Sequence, residues 1–134
     1  MSLREIGGFV LKNEIILFEE AYIKLKVNLQ DETVWLTQKQ IAVLFAKDRM
    51  VITKHINNIL TKGKLTKSNV QKMYIANSDK PVEFYNLNMI ISVGYRVKSK
   101  RGIAFIIWAN KILKEYLLHS YVINKPRLDY LEKQ

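Results

Sequence analysis

Between Thr37 and Leu60 the chain reads TQKQIAVLFAKDRMVITKHINNIL, and one residue in it limits the available folds. Ile41, Phe45, Ile52, Ile56 and Ile59 would share one stripe of an unbroken helix, but Asp48 would sit in the middle of that stripe. A carboxylate buried without a partner is costly, whereas aspartate is a favoured N-cap for a helix beginning at the next residue. The sequence therefore predicts two helices with a corner at Asp48, the second starting at Arg49. The first starts near Gln38, because Thr37 and Gln40 have the spacing of a capping box.

Two short helices at an angle, the second one basic, form a device for reading DNA, and Gln38 to Asn57 fits the helix-turn-helix pattern. Ala42 is small where the second helix would cross. Ile41, Phe45, Ile52 and Ile56 would form the shared core. Three positions depart from the pattern: Ala46 stands where glycine is usual, Lys47 where an apolar residue follows, and His55 at a place more often apolar.

The outer face of the second helix would carry Arg49, Met50, Thr53, Lys54 and Asn57. Arginine pairs bidentately with guanine and asparagine with adenine, so these are the candidates for base contacts, with Lys54 suited to a base or a phosphate. Thr37 and Gln38, at the start of the first helix, are candidates for a phosphate, together with Lys62, Lys64, Lys67 and Lys72. The plainer alternative is a simple αα-corner with an ordinary solvated lysine face.

Charge distribution agrees with the first reading. The formal charge is +10, and from Thr37 to Lys114 there are 15 basic against 3 acidic residues, so the whole excess lies in the middle of the chain. A localised basic block is the footprint of a polyanion-binding surface.

Around the helix pair the patterning is that of strands. EIILF (14–18) and YIKLKVNL (22–29) predict an opening hairpin, and Asp31 to Thr33 a turn. VQKMYIA (70–76) and VEFYNL (82–87), separated by NSDKP, predict a second hairpin. There a winged-helix domain carries its wing, with Asn77 and Lys80 at the tip to touch DNA; a hairpin that only closes the core fits equally. Asn86 can cap the next helix, and Arg101 and Gly102 would divide it from a second helical run ending near His119. The expected fold is thus α+β: an N-terminal β-hairpin (14–29), a helix-turn-helix (37–61), a hairpin wing (70–87) and two C-terminal helices (87–119), in one domain spanning 1–134.

The phrases WLTQKQIAVLF, ITKHINNIL, YNLNMIISVGYRVKSKRG and FIIWANKILKEYL closely resemble the virulence RhuM family of bacterial proteins, over about Ile15 to Leu128. Family members are usually longer, which agrees with a last segment, VINKPRLDYLEKQ, that reads as an element cut short; the chain is expected to be a fragment. The resemblance implies a DNA-binding, regulatory protein, often encoded in mobile or pathogenicity-associated regions and sometimes beside or fused to Fic-type domains. No His-Pro-Phe or Gly-Asn-Gly-Arg motif of the Fic type occurs, so that activity is not carried over.

Within VGYRVKSKRG, Arg96, Lys98, Lys100 and Arg101 form a basic cluster that could clamp phosphate or stabilise helix C-terminal carbonyls. The later helix has an apolar face of Phe105, Trp108, Ala109, Ile112, Leu113, Tyr116 and Leu117, widened by Ile106 and Ile107. Its surplus suits a homodimer interface, although one protomer can also bury it.

Catalysis is not expected. There is no cysteine, the two histidines His55 and His119 have no metal-ligand spacing, and the glycines form no phosphate loop. No metal and no cofactor is called for. The start lacks a secretory signal and no stretch approaches the roughly 18 apolar residues of a membrane helix, so a cytoplasmic protein is expected, with no membrane partner. The function expected is sequence-specific DNA binding in transcription regulation, with double-stranded DNA as partner. The alternative is a protein-interaction module, an antitoxin-like or antirepressor-like partner without base readout.

Overall fold

The alternating run IKLKVNLQ forms a strand in which Ile23, Leu25, Val27 and Leu29 are buried while Lys24 and Lys26 are exposed, as a period of two requires. The structure, a computed structural model, describes residues 2–6, 9–20, 23–74 and 79–132. Its strands are β1 (Ser2–Ile6), β2 (Phe9–Glu20), β3 (Ile23–Gln30), β4 (Thr33–Thr37), β5 (Val70–Tyr74) and β6 (Pro81–Asn86). Its helices are α1 (Gln38–Phe45), α2 (Arg49–Thr61), α3 (Leu87–Val97) and α4 (Lys100–Glu132), with a short 3-10 turn at Lys67–Asn69.

The fold is α+β. All strand pairs are antiparallel, in the order β1-β2-β3-β4-β6-β5. The expected N-terminal hairpin is therefore part of a larger sheet. β4, which sequence patterning did not separate from the turn before it or the helix after it, pairs with β3 through Asn28↔Trp35 and with β6 through Leu36↔Tyr85. It is reached by a tight turn: Asp31 and Glu32 have φ of 54° and 61°, the pair of positive values that a type I′ hairpin needs. Val34, Trp35 and Leu36 are all buried, and the Trp35 indole donates to the Gln30 carbonyl at 2.8 Å.

One core joins sheet and helices. Ile41, Leu44 and Phe45 of α1 meet Ile52, Ile56 and Ile59 of α2, Ile90 and Val93 of α3, and Phe105 and Ala109 of α4. On the sheet side, Phe18 of β2 stacks edge-on against Phe105, with centroids 5.2 Å apart at 81°, and Trp108 closes the aromatic group 5.1 Å from Phe18.

Two expectations about the last helices are corrected. The break between them lies at Lys98 and Ser99, not at Arg101 and Gly102: Lys98 takes the left-handed conformation with φ 52°, and its amide closes on the Gly94 carbonyl at 2.9 Å. Gly102 lies inside α4, buried against the Phe45 ring. The helical run does not stop near residue 119, and the final segment is not a separate element; α4 continues to Glu132.

Candidate nucleic-acid interface

The corner between α1 and α2 is real, but its cause differs from the expected one. Ala46 adopts the left-handed conformation with φ 55° and ψ 46°. Its amide donates to the Val43 carbonyl at 3.2 Å and the Lys47 amide to the Ala42 carbonyl at 3.0 Å, the pair of bonds that defines a Schellman stop. Asp48 is the N-cap of α2 in extended conformation, yet its side chain makes no capping hydrogen bond. Its carbonyl instead accepts from the Val51 and Ile52 amides. The capping box of α1 forms as expected: the Gln40 amide donates to Thr37 Oγ1 at 3.1 Å, and the Thr37 amide to Gln40 Oε1 at 2.9 Å. Gln40 Nε2 also reaches the Lys26 carbonyl at 2.7 Å, tying the start of α1 to the sheet.

α2 buries Ile52, Ile56 and Ile59 and turns Arg49, Met50, Lys54 and Asn57 outward. Met50 is 83% exposed. Thr53 is half-buried on the same outward side, its hydroxyl donating to the Arg49 carbonyl at 2.9 Å, so only its oxygen lone pairs remain to accept. Met50, Thr53, Lys54 and Asn57 surround one shallow depression together with Asn58, which sequence reasoning missed.

A second concavity, of about 470 Å³, lies where the starts of α1 and α2 meet β6. It gathers Thr37 and Gln38, the phosphate candidates, with Arg49, a base candidate, and adds Lys39, Glu83 and Tyr85. Gln38 Nε2 donates to the Arg49 carbonyl at 3.3 Å, bridging the two helices. Thr37 already uses its amide and hydroxyl oxygen in the capping box, so the outward amides at this end are those of Gln38 and Lys39. Tyr85 donates to Glu83 Oε2 at 3.0 Å; burial, then that hydrogen bond and the Glu83 charge, push its phenol up to about 12, against the opposing charge of Arg49. A carboxylate in this concavity has no counterpart in the sequence reading.

Lys62, Lys64 and Lys67 are exposed on the connection from α2 to β5. Lys72 is exposed on β5, directly across from Glu83 of β6, a carboxylate that partly offsets its charge. Lys80 is exposed just before β6, and Asn77 lies outside the described residues.

The basic cluster divides in two. Arg96 is half-buried in the last turn of α3, where a cation is favoured, and its charge reaches His55 on the inner side of α2. The shielded His55 Nδ1 has no hydrogen-bond partner, and burial, then Arg96 and Lys54, hold the imidazole below its usual range. Lys98 is exposed at the C-cap of α3, while Lys100 and Arg101 are exposed in the first turn of α4.

Among the described residues no group of histidine, cysteine or carboxylate side chains could hold a metal, and no helix is long and apolar enough to cross a membrane. Neither a curated protein nor a solved structure matches the chain. The sequence model described as the Virulence protein RhuM family matches residues 48–134, beginning at the N-cap of α2 and leaving WLTQKQIAVLF outside the match. With α2, the β5–β6 hairpin, α3 and α4 all inside the matched span, the chain belongs to the Virulence protein RhuM family.

Proposed function

We propose that this chain is a sequence-specific DNA-binding regulator of the RhuM type, without catalysis of its own, that lays α2 into the major groove of duplex DNA. The observation that carries the reading is the outward face of α2, where Arg49, Met50, Lys54 and Asn57 stand in solvent while Ile52, Ile56 and Ile59 anchor the helix from behind. The connection from α1 to α2 has the length of a helix-turn-helix turn, with Ala46, Lys47 and Asp48 between the helices. Arg49, Met50, Thr53 and Asn57 contact bases and Lys54 a base or phosphate. Gln38 and Lys39 hold one phosphate at the start of α1, and Lys62, Lys64 and Lys67 add attraction that is blind to sequence. In this reading the β5–β6 hairpin, whose β6 pairs with β4, serves as the wing and brings Lys80 to the DNA.

Selection of bound fragments from a random duplex pool, followed by a shift assay over a salt series, tests the reading. Binding should weaken steeply with salt. Arg49→Ala should relax preference at one position at about 1–3 kcal/mol, whereas Lys64→Ala should weaken binding to every duplex alike and lower the salt slope by about one. Failure to bind any duplex at low salt would overturn the proposal in favour of a protein-interaction module.

A further inference from the structure

On the side of the molecule formed by α3 and α4, a groove of about 520 Å³ runs between the two helices. Its walls are apolar: Ile91 and Tyr95 from α3 face Ile103 and Ile106 from α4. Tyr95 is 85% exposed and Ile103 58%, and Ile107, one turn beyond Ile103, is 64% exposed. Apolar side chains at four-residue spacing on two adjacent helices, left in water, make a continuous patch rather than scattered exposure.

The rim has one sign of charge. Lys98 and Lys100 line the groove at the helix junction, with Arg101 exposed beside them. From Leu87 to Lys114 the sequence contains no aspartate or glutamate. Lys100 and Arg101 also occupy the first turn of α4, where the positive end of the helix dipole disfavours cations and no acidic residue compensates. These charges are therefore complementary to carboxylates supplied from outside. A second copy of the chain would bring the same cations and no carboxylate on the matching surface, and duplex DNA would leave the isoleucines uncovered.

We infer that this groove docks an amphipathic helix of a partner protein, with large apolar side chains at i, i+4 and i+7 seated between α3 and α4 and glutamates or aspartates on its flanks meeting Lys98, Lys100 and Arg101. The site is separate from the face of α2, and the inference stands whether or not that face reads DNA. Its floor bears on α1, because Gly94 and Gly102, which line the groove, lie directly over the Phe45 ring. The two glycines thus separate an occupant of the groove from the helix that supports α2.

The probe is a synthetic, fluorescently labelled amphipathic helical peptide with leucines at that spacing and glutamates on the flanking positions, titrated with the full chain. Two control peptides accompany it: one with lysine for every glutamate, and one of the same composition with the leucines scrambled. The acidic amphipathic peptide should bind at least about tenfold more tightly than either control, equivalent to about 1.4 kcal/mol. Ile103→Asp should abolish that advantage, and Lys98→Glu with Lys100→Glu should transfer it to the lysine peptide. These three side chains are exposed, and circular dichroism of each variant checks that the fold is kept. Equal binding of the acidic and scrambled peptides, absence of binding, or insensitivity to Ile103→Asp would overturn the inference. So would a concentration-dependent dimer in sedimentation that Ile103→Asp removes, since a second copy would then be the occupant.

Discussion

Gly102 of α4 lies so close to Phe45 of α1 that a methyl group in its place would overlap the aromatic ring. Gly94 of α3 approaches the same ring less tightly, a Cβ there meeting Phe45 Cζ at 3.0 Å. Phe45 is thus clasped by two backbones, and its ring sets how near α3 and α4 come to α1. Gly102→Ala should destabilise the protein: overpacking costs about 1–3 kcal/mol, of which the better helix propensity of alanine returns up to about 1. Urea unfolding would read a lower midpoint, smaller for Gly94→Ala, and Phe45→Leu added to Gly102→Ala should recover part of the loss, a coupling expected of residues in contact.

Ala46 holds a left-handed backbone that alanine tolerates poorly. Ala46→Gly removes about 1–2 kcal/mol of that strain and adds back about 0.4–1 through the freer unfolded chain. A net stabilisation of about 0.5–1 kcal/mol follows, visible as a higher urea midpoint with an unchanged slope. Ala46→Val, which is stiffer, should do the reverse.

His55 is held below its ordinary value by burial, then by Arg96 and Lys54, so the folded state favours the neutral ring. The unfolded chain binds the proton more readily, and the associated stability is present above the unfolded value of 6.5 and lost as pH falls below it. Urea midpoints measured between about pH 7.5 and pH 5 should fall for the native sequence and stay flatter for His55→Leu.

Tyr85 moves in the opposite sense, its phenol pushed up to about 12 by burial and by its hydrogen bond to Glu83. A raised value means stability that is complete below the unfolded value of 10.0 and lost as pH rises through about 12. Ultraviolet titration of tyrosinate should find one late-titrating phenol that vanishes in Tyr85→Phe. It should move down in Glu83→Gln and up further in Arg49→Ala.

Local signals were legible in the sequence wherever the cause is local. The capping box of Thr37 and Gln40, the cap at Asn86, whose side chain accepts from the Met89 amide at 3.1 Å, and the alternation of β3 all appear as the spacing predicts. Asp48 marked the corner, although the bonds that make it come from Ala46 and Lys47, because a conflict in a hydrophobic stripe reveals that a helix must end without revealing how. The division of α3 from α4 was misplaced since glycine alone reads as a breaker, and Gly102 is there for a ring distant in sequence. β4 escaped notice because a short apolar run buried on both faces has no alternation to reveal it. Of the candidate site, the face of α2 followed from helical periodicity. Glu83 and Tyr85 did not, because only the pairing of β6 with β4 brings them to the start of α1, where Lys39 already stands in the first turn.

The position of β4 between β3 and β6 has a consequence for where the folding unit begins. A polypeptide started at Asp48, the first residue of the matched family segment, would keep β5 and β6 but strip the neighbour from one side of β6. Ile52, Ile56 and Phe105 would face water where Ile41, Leu44 and Phe45 now stand. An unpaired strand edge beside exposed isoleucines is a recipe for aggregation. The segment that evolutionary likeness marks out is therefore smaller than the piece that can stand alone, and truncations should keep at least β3, β4 and α1.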